Sequence, residues 1–306
     1  MKHILYPIIL LCCVAFAQSE FLLLDHHQKG VNAVAFSPNG KTLVTSSDDS
    51  TARVWNTATG EIEMKLTGHT GWVLGAAING SGNVATTDSE GRVALWDIAK
   101  QKLLRVWTAH SAWIRSVAFS DDGLKLVTAS DDFTAKVWEV SSGKLLRTLT
   151  GHTGWLTSVF FIQNQIVTAS RDGTVKFWTS ISGTNTRTLE LKEWIYNLAL
   201  SPDGVRFATA AKNGVRIWNR ISGRELEQVG TDRITHAVAF SPDGTELAVG
   251  NDNGSIDLWD AKGLNKKRTL LAHTSYIKAL AYSPDSTKLA SASRDGMARI
   301  WNIVQK

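Results

Sequence analysis

Apolar and polar positions alternate in short runs along nearly the whole chain, and turn residues separate the runs. Residues 152–178, HTGWLTSVFFIQNQIVTASRDGTVKFW, show the unit. Leu156, Ser158 and Phe160 alternate into a polar turn, Gln165–Ser170 follow, Arg171-Asp172-Gly173 turns the chain again, and Val175–Trp178 ends the stretch. A period of two sends successive side chains to opposite faces of a strand, and Gly, Asn and Asp between such runs signal hairpins. A further strand follows each such tryptophan, as Lys144–Leu149 does after Ser141-Ser142-Gly143. No stretch of useful length has a helical period. The pattern predicts an all-β chain.

The unit recurs. Trp55, Trp96, Trp138, Trp178, Trp218, Trp259 and Trp301 follow one another every 40–42 residues. A fixed period in this range means one supersecondary unit copied in series, here enough copies to close a ring. The first turn of several copies reads SPNG (Ser37–Gly40) or SPDG (Ser201–Gly204, Ser241–Gly244), with proline at a position that needs its fixed φ and glycine at the end.

These residues resemble the WD-repeat family, and the resemblance covers almost the entire chain. It implies a seven-bladed β-propeller of four-stranded antiparallel blades. It also implies a buried network in each blade of a histidine, a Ser or Thr, an acid and the periodic tryptophan. By position the networks are His27, Thr45, Asp49 and Trp55; His69, Thr86, Glu90 and Trp96; and His110, Thr128, Asp132 and Trp138. Two more are His152, Thr168, Asp172 and Trp178, and His273, Ser291, Asp295 and Trp301. Blade five offers Leu191, Thr209, Asn213 and Trp218, and blade six Thr231, Val249, Asn253 and Trp259, so both should be the softer part of the ring. Because these histidines follow the repeat, they read as structural rather than catalytic or metal-binding.

The last tryptophan lies too near Lys306 for a further strand to follow it. The segment Ser19–Asp25 has the offset before His27 that Lys144–Thr150 has before His152, so the N-terminal strand should pair into the last blade and close the ring. Residues 1–17 differ in kind: Lys2 and His3 precede an apolar run from Ile4 to Ala17 ending Ala15-Phe16-Ala17. That is the layout of a secretory signal peptide, too short for a permanent membrane span, and it predicts an exported protein, periplasmic or secreted, whose propeller occupies 18–306. The alternative is a cytoplasmic protein in which the segment is not a signal. Cys12 and Cys13 both fall inside it, and Leu11 before Cys12 does not fit a lipid-anchor site. Removal of the segment would leave no thiol for a disulfide, a metal or nucleophilic attack.

Charge adds little: 33 basic and 28 acidic residues give a net +5, scattered along the chain. Nucleic-acid binders gather their positive charge on one face, and no such cluster is visible, so no nucleic acid is expected. Gly40-Lys41-Thr42 lacks the glycine of a phosphate loop, since Ala35 stands in its place. No GxSxG or HExxH motif occurs, and Asp252-Asn253-Gly254 lacks the alternating ligands of a calcium loop. No catalytic residues, metal or cofactor are expected.

Five tryptophans lie outside the period, and four of them recur at one place. Trp72, Trp113 and Trp155 stand three residues after their histidines, Trp194 takes that slot in blade five and Tyr276 in blade seven, with Gly30 and Ile234 completing the set. The resemblance puts this slot at the narrow-face mouth of the central channel. Two residues on come Asn32, Leu74, Arg115, Thr157, Tyr196, His236 and Lys278, and the residues before the turn acids add Asp48, Asp131, Arg171, Lys212, Asp252 and Arg294 to the rim. An aromatic centre within a charged rim has the anatomy of a binding hot spot. The candidate partner-binding residues are Trp72, Trp113, Trp155, Trp194, Tyr276, Arg115, Tyr196, His236 and Lys278. The favoured reading is a non-catalytic, monomeric scaffold that binds a protein or peptide there. The alternatives are an exported glycan binder stacking sugars on the indoles, rings that merely pack between blades, and an enzyme using Arg115, His236 and Lys278.

Overall fold

The computed structural model describes residues 20–229 and 233–303, and these form seven sheets of four antiparallel strands. Blade one runs Val31–Phe36, Thr42–Ser47, Thr51–Asn56 and Ile62–Thr67, paired in that order from the centre outward. The next five blades repeat it. Blade seven takes Ile277–Tyr282, Lys288–Ser293 and Ala298–Asn302 from the C-terminal end and its outer strand, Phe21–Leu24, from the N-terminal end. Phe21 lies opposite Trp301 and Leu24 opposite Ala298, so the ring closes as the sequence implied. The expected signal segment, residues 1–17, lies outside the described residues.

The hydrophobic core is divided into seven parts, each between neighbouring blades. Leu24, Ala298 and Ile300 of blade seven pack against Val31, Leu43 and Trp55 of blade one. Trp178 lies against Val127, Val137 and Leu149 of blade three. A blade alone is two-faced and cannot bury both sides, which is why the period of the sequence has to end in a closed ring. Trp55 and Trp178 are almost completely buried. Each such indole supports the ring by several kcal/mol, since truncating a buried aromatic costs about 3–5 kcal/mol. Arginines on outer strands fasten blade to blade: Arg105 donates to Ser141 O at 3.3 Å and Arg147 to Ile181 O at 3.0 Å in the following blade.

The expected networks are present and directional. In blade four the Trp178 indole N–H donates to Thr168 Oγ1 (2.9 Å), which lies 2.7 Å from His152 Nε2, while His152 Nδ1 lies 2.8 Å from Asp172 Oδ2. The carboxylate fixes the proton on Nδ1, so Nε2 accepts the threonine hydroxyl. Burial pushes the carboxyls of Asp49, Asp88, Asp132, Asp172 and Asp295 up, but the hydrogen bonds they accept outweigh it, and all lie below the usual range, Asp295 at about 2. Burial also lowers His27, His110 and His273. In these three blades neutral imidazoles are therefore paired with charged acids.

Blade two corrects the sequence reading. The acid on His69 is Asp88, at 2.6 Å, and Glu90 instead meets Thr70 Oγ1 at 3.0 Å on the surface. Asp88 stands where other blades carry Ser47, Ser130, Ser170 or Ser293, whose hydroxyls each accept the N–H of the following turn acid. Its second oxygen, Oδ1, accepts the N–H groups of Glu90 and Arg92, both at 2.9 Å. One shorter acid, two positions earlier, thus does the work of both residues, and the longer Glu90 is released.

Blades five and six depart as expected at the described positions, Thr231 lying outside them, but each puts something in place of the missing parts. Blade five keeps the Trp218 to Thr209 bond at 2.9 Å, buries Leu191, and adds an Arg216–Glu193 ion pair at 3.1 Å. In blade six Val249 offers no hydroxyl, and the Trp259 indole nitrogen is buried with no partner. Its polar cluster has moved to Asp257, which accepts from Thr269 (2.6 Å) and Asn251 (3.1 Å) and pairs with Lys266 (2.8 Å).

Candidate functional site

The innermost strands converge on a central channel, and their geometry there has a common cause. In six blades the pairing register slips by one residue near the start of this strand, between Val31 and Ala33, Val73 and Gly75, Ile114 and Ser116, Leu156 and Ser158, Thr235 and Ala237, and Ile277 and Ala279. The residues left over are Asn32, Leu74, Arg115, Thr157, His236 and Lys278. A β-bulge bends the strand and re-aims the extra side chain, and bulges concentrate beside functional sites. All six, with Tyr196 of blade five, line one cavity of about 1080 Å³ in the channel. The sequence picked out this second layer from period-two spacing alone; the bulge is what turns it into the channel.

The aromatic slot divides. Trp72, Trp113, Tyr276 and Gly30 line the cavity; Trp155, Trp194 and Ile234 stand outside its lining. Trp72 and Trp113 meet edge to face, centroids 5.3 Å apart. Trp113 and Trp155 are bridged by the Arg115 guanidinium, 5.2 and 5.3 Å from their ring centroids. Arg171 extends the chain, 4.9 Å from Trp155, 6.0 Å from Trp194 and 5.7 Å from Tyr196. His236 then lies between Tyr196 (5.2 Å) and Tyr276 (4.9 Å), and Arg294 lies over Tyr276 at 5.8 Å. A run of rings with Arg115, Arg171 and Arg294 set among them therefore follows the mouth from blade two to blade seven. Blade one interrupts them: a Cβ on Gly30 would come within 3.1 Å of Asp48 and 3.4 Å of the Lys278 amine.

These rings are not consumed by packing. Trp72, Trp113, Trp155 and Trp194 keep 44%, 36%, 41% and 61% of their surface in solvent, where the periodic indoles of blades one and four keep almost none.

The channel wall is strongly biased in charge. Among the described residues Lys29, Arg115, Arg171, Lys278 and Arg294 line it, against the single carboxylate of Asp48. Arg115 is matched from the rim, since Asp131 receives its Nε and Nη2 at 2.5 and 2.7 Å. Lys278 is held by Asn32 and by Asp48, the latter at 3.2 Å. Arg171 has no carboxylate within ion-pair distance among the described residues, and its Nε is buried without an acceptor. Burial lowers its pKa first, and the neighbouring Arg115 lowers it further. Burial likewise holds His236 below the usual histidine value of 6.5, with Asp252 opposing and Arg171 adding to the effect. The sequence placed Arg171 only on the rim; its position between three rings comes from the fold.

Phe133 is a second residue the sequence reading passed over. It sits in the turn that follows Asp131 and Asp132, 41% exposed, with φ +70°. Its counterparts in blades two, four, six and seven are glycines with positive φ. A bulky residue held in that conformation is strained, and such strain collects at functional surfaces. The signal was available in the repeat, where Asp-Asp-Phe-Thr departs from the Asp-Gly pattern.

The His–Asp pairs have the spacing of a general-base pair, but the hydroxyls they touch, Thr45, Thr86, Thr128, Thr168 and Ser291, are fully buried and already receive an indole N–H. No group of three metal-ligating side chains occurs among the described residues, and no helix there is long and apolar enough to cross a membrane. Fold and site together define a β-propeller with an aromatic and cationic channel mouth.

The family follows from comparison with known proteins. Residues 113–306 match the family model described as IFT122 first beta-propeller, and residues 12–56 and 60–97 match WD domain, G-beta repeat. The chain belongs to the WD-repeat β-propellers, which typically act as protein-interaction scaffolds. Short segments resemble curated relatives. A nuclear distribution protein PAC1 of Ajellomyces capsulatus is 43% identical over 51 residues, 17% of this chain and 11% of that protein. WD repeat-containing protein 86 of Homo sapiens is 45% identical over 47 residues, 15% of this chain and 12% of that protein. Protein tipD of Dictyostelium discoideum is 38% identical over 73 residues, 24% of this chain and 12% of that protein. The matched segments span only about an eighth of the relatives' own length at most.

Proposed function

We propose that this propeller is a non-catalytic scaffold that binds a protein or peptide at the aromatic and cationic mouth of its channel. The observation that carries the reading is the set of four tryptophans left substantially exposed on consecutive blades, stitched together by Arg115 and Arg171. Large rigid rings bury much area at small entropic cost, and Trp and Arg are the residues most enriched at interface hot spots. The same geometry favours a peptide over a glycan. A sugar needs a free indole face to stack on, and guanidinium groups already lie over Trp113 and Trp155.

The test is affinity capture with wild-type protein and with Trp113→Ala/Trp155→Ala. The expected result is a partner lost only from the variant, at an unchanged melting temperature. Equal capture would move the site elsewhere; a large fall in melting temperature would make the rings packing elements. Adding oligosaccharides while following tryptophan emission separates the glycan reading, for which the signal would fall.

Export belongs to the proposal too. Its support is the charged start and apolar run of residues 1–17. N-terminal sequencing of the protein from its native cell checks it: a chain beginning near Gln18 is expected, and one beginning at Met1 would sink the idea.

A further inference from the structure

Resting on that reading of the mouth, we propose that Arg171 seats a carboxylate side chain of an acidic peptide, so that the partner presents Asp or Glu flanked by apolar residues. Charge complementarity is the first ground. Among the described residues the channel lining holds five cationic residues and one carboxylate, and Asp48 is already engaged with Lys278 and Asn32. An anionic ligand fits such a wall and a basic one does not.

The second ground is what remains unsatisfied. Arg115 is already paired with Asp131 through its Nε and Nη2, and Arg294 donates to the Tyr276 hydroxyl at 3.2 Å. Arg171 makes its contacts through ring faces only. A guanidinium stacks through its plane and hydrogen-bonds through its edge, so stacking fixes the group while leaving the in-plane N–H fork for a ligand. A partly buried cation with a second guanidinium beside it is electrostatically uncompensated, and an incoming anion relieves it. The lowered pKa of Arg171 has the same two causes.

Carboxylate is favoured over phosphate by number. At Arg171 one free fork matches the two oxygens of one carboxylate, and the adjacent Arg115 is already paired with Asp131, whereas a phosphate dianion is taken by clusters of free arginines. Exposed surface of Trp155 and Trp194 beside Arg171 then takes the apolar neighbours.

The experiment selects peptides from a random phage-displayed library on the purified full chain. A recovered peptide is then synthesised with its acidic residue, and with Gln or phosphoserine in that place. Binding of each is measured by calorimetry to wild type, Arg171→Met and Arg171→Lys. The inference expects Asp or Glu in the recovered sequences. Replacement by Gln should weaken wild-type binding roughly ten- to hundredfold, the scale of one charge-assisted hydrogen-bonded pair. Arg171→Met should bind the acidic and Gln peptides equally, at the weaker level, and Arg171→Lys should fall between. Equal wild-type affinity for the acidic and Gln peptides, or the same loss for both in Arg171→Met, overturns the carboxylate assignment while peptide binding stands. Much tighter binding of phosphoserine through Arg171, or recovery of basic peptides, overturns it also. If wild type recovers nothing that Trp113→Ala/Trp155→Ala does not, the proposed binding face fails and this inference with it. Should Arg171→Met not fold, the comparison rests on Arg171→Lys, where an undiminished preference for the acidic over the Gln peptide is the overturning result.

Discussion

Replacing Asp172 with Ala tests the buried network in a blade of standard form. The carboxylate accepts His152 Nδ1 at 2.8 Å, Thr153 N at 2.9 Å, Thr174 N at 2.8 Å and Thr174 Oγ1 at 2.7 Å. These four bonds are not lost equally. Thr153 is exposed, so water replaces its partner, and Thr174 Oγ1 lies 3.1 Å from His152 Nδ1 and can take over part of that bond. What remains is the Thr174 N–H, a weakened His152 contact and the cavity. Hydrogen bonds to a charged group contribute about 1.5–3 kcal/mol each, so the variant should lose about 2–4 kcal/mol. Thr168→Val attacks the other end, leaving the Trp178 indole N–H and His152 Nε2 without a partner as Trp259 is left beside Val249, and should cost a similar amount. The control is Asp203→Ala, an exposed turn acid that caps Ser201 and Val205 and should cost about 1 kcal/mol or less. The assay is urea unfolding followed by tryptophan emission, with stability taken from the midpoint at unchanged slope. If Asp172→Ala and Thr168→Val lie no lower than Asp203→Ala, the network is not what holds the blade, and the reasoning fails.

Two further predictions use the same assay. Asp88→Ala should destabilise blade two by about 2–4 kcal/mol, while Glu90→Ala, which removes only solvent-side contacts with Thr70 and Arg92, should stay within about 0.5 kcal/mol of wild type; the reverse order would restore Glu90 to the network. Phe133→Gly should stabilise the protein by about 0.5–1 kcal/mol, because the left-handed strain at φ +70° is released and a largely exposed ring loses little packing. A loss of stability would show that Phe133 packs in place, whereas a gain accompanied by weaker partner binding would mark it as part of the interface.

Much of this protein was legible because its signals are local and repeated. Trp55 through Trp301 set the period, the alternation set the strand type, and the offset of Ser19–Asp25 before His27 placed the closing strand. Repetition lets weak local signals add, and a single slot such as that of Trp72, Trp113, Trp155 and Trp194 stands out only by comparison between copies. The same averaging misled at Glu90. Counting from Thr86 by the pattern of its neighbours gives the wrong acid, because a hydrogen bond depends on reach, and Asp88 is already within 2.6 Å of His69. Blade six was read as lacking a network, yet its polar residues had regrouped around Asp257, on the strand facing Val249.

The sequence by itself determined the class of fold, the number of blades, the way the ring closes and the four networks of standard form, since each follows from residue type at fixed spacing along one strand or one hairpin. Only the tertiary structure decided what the channel mouth is. It set Arg115 and Arg171 between rings supplied by different blades, gave Arg115 its carboxylate, left Arg171 without one, and turned Asn32 through Lys278 into the channel by bulges. The contacts between a guanidinium and a ring of the next blade join side chains up to some forty residues apart, and they exist only once the seven sheets are packed around one axis.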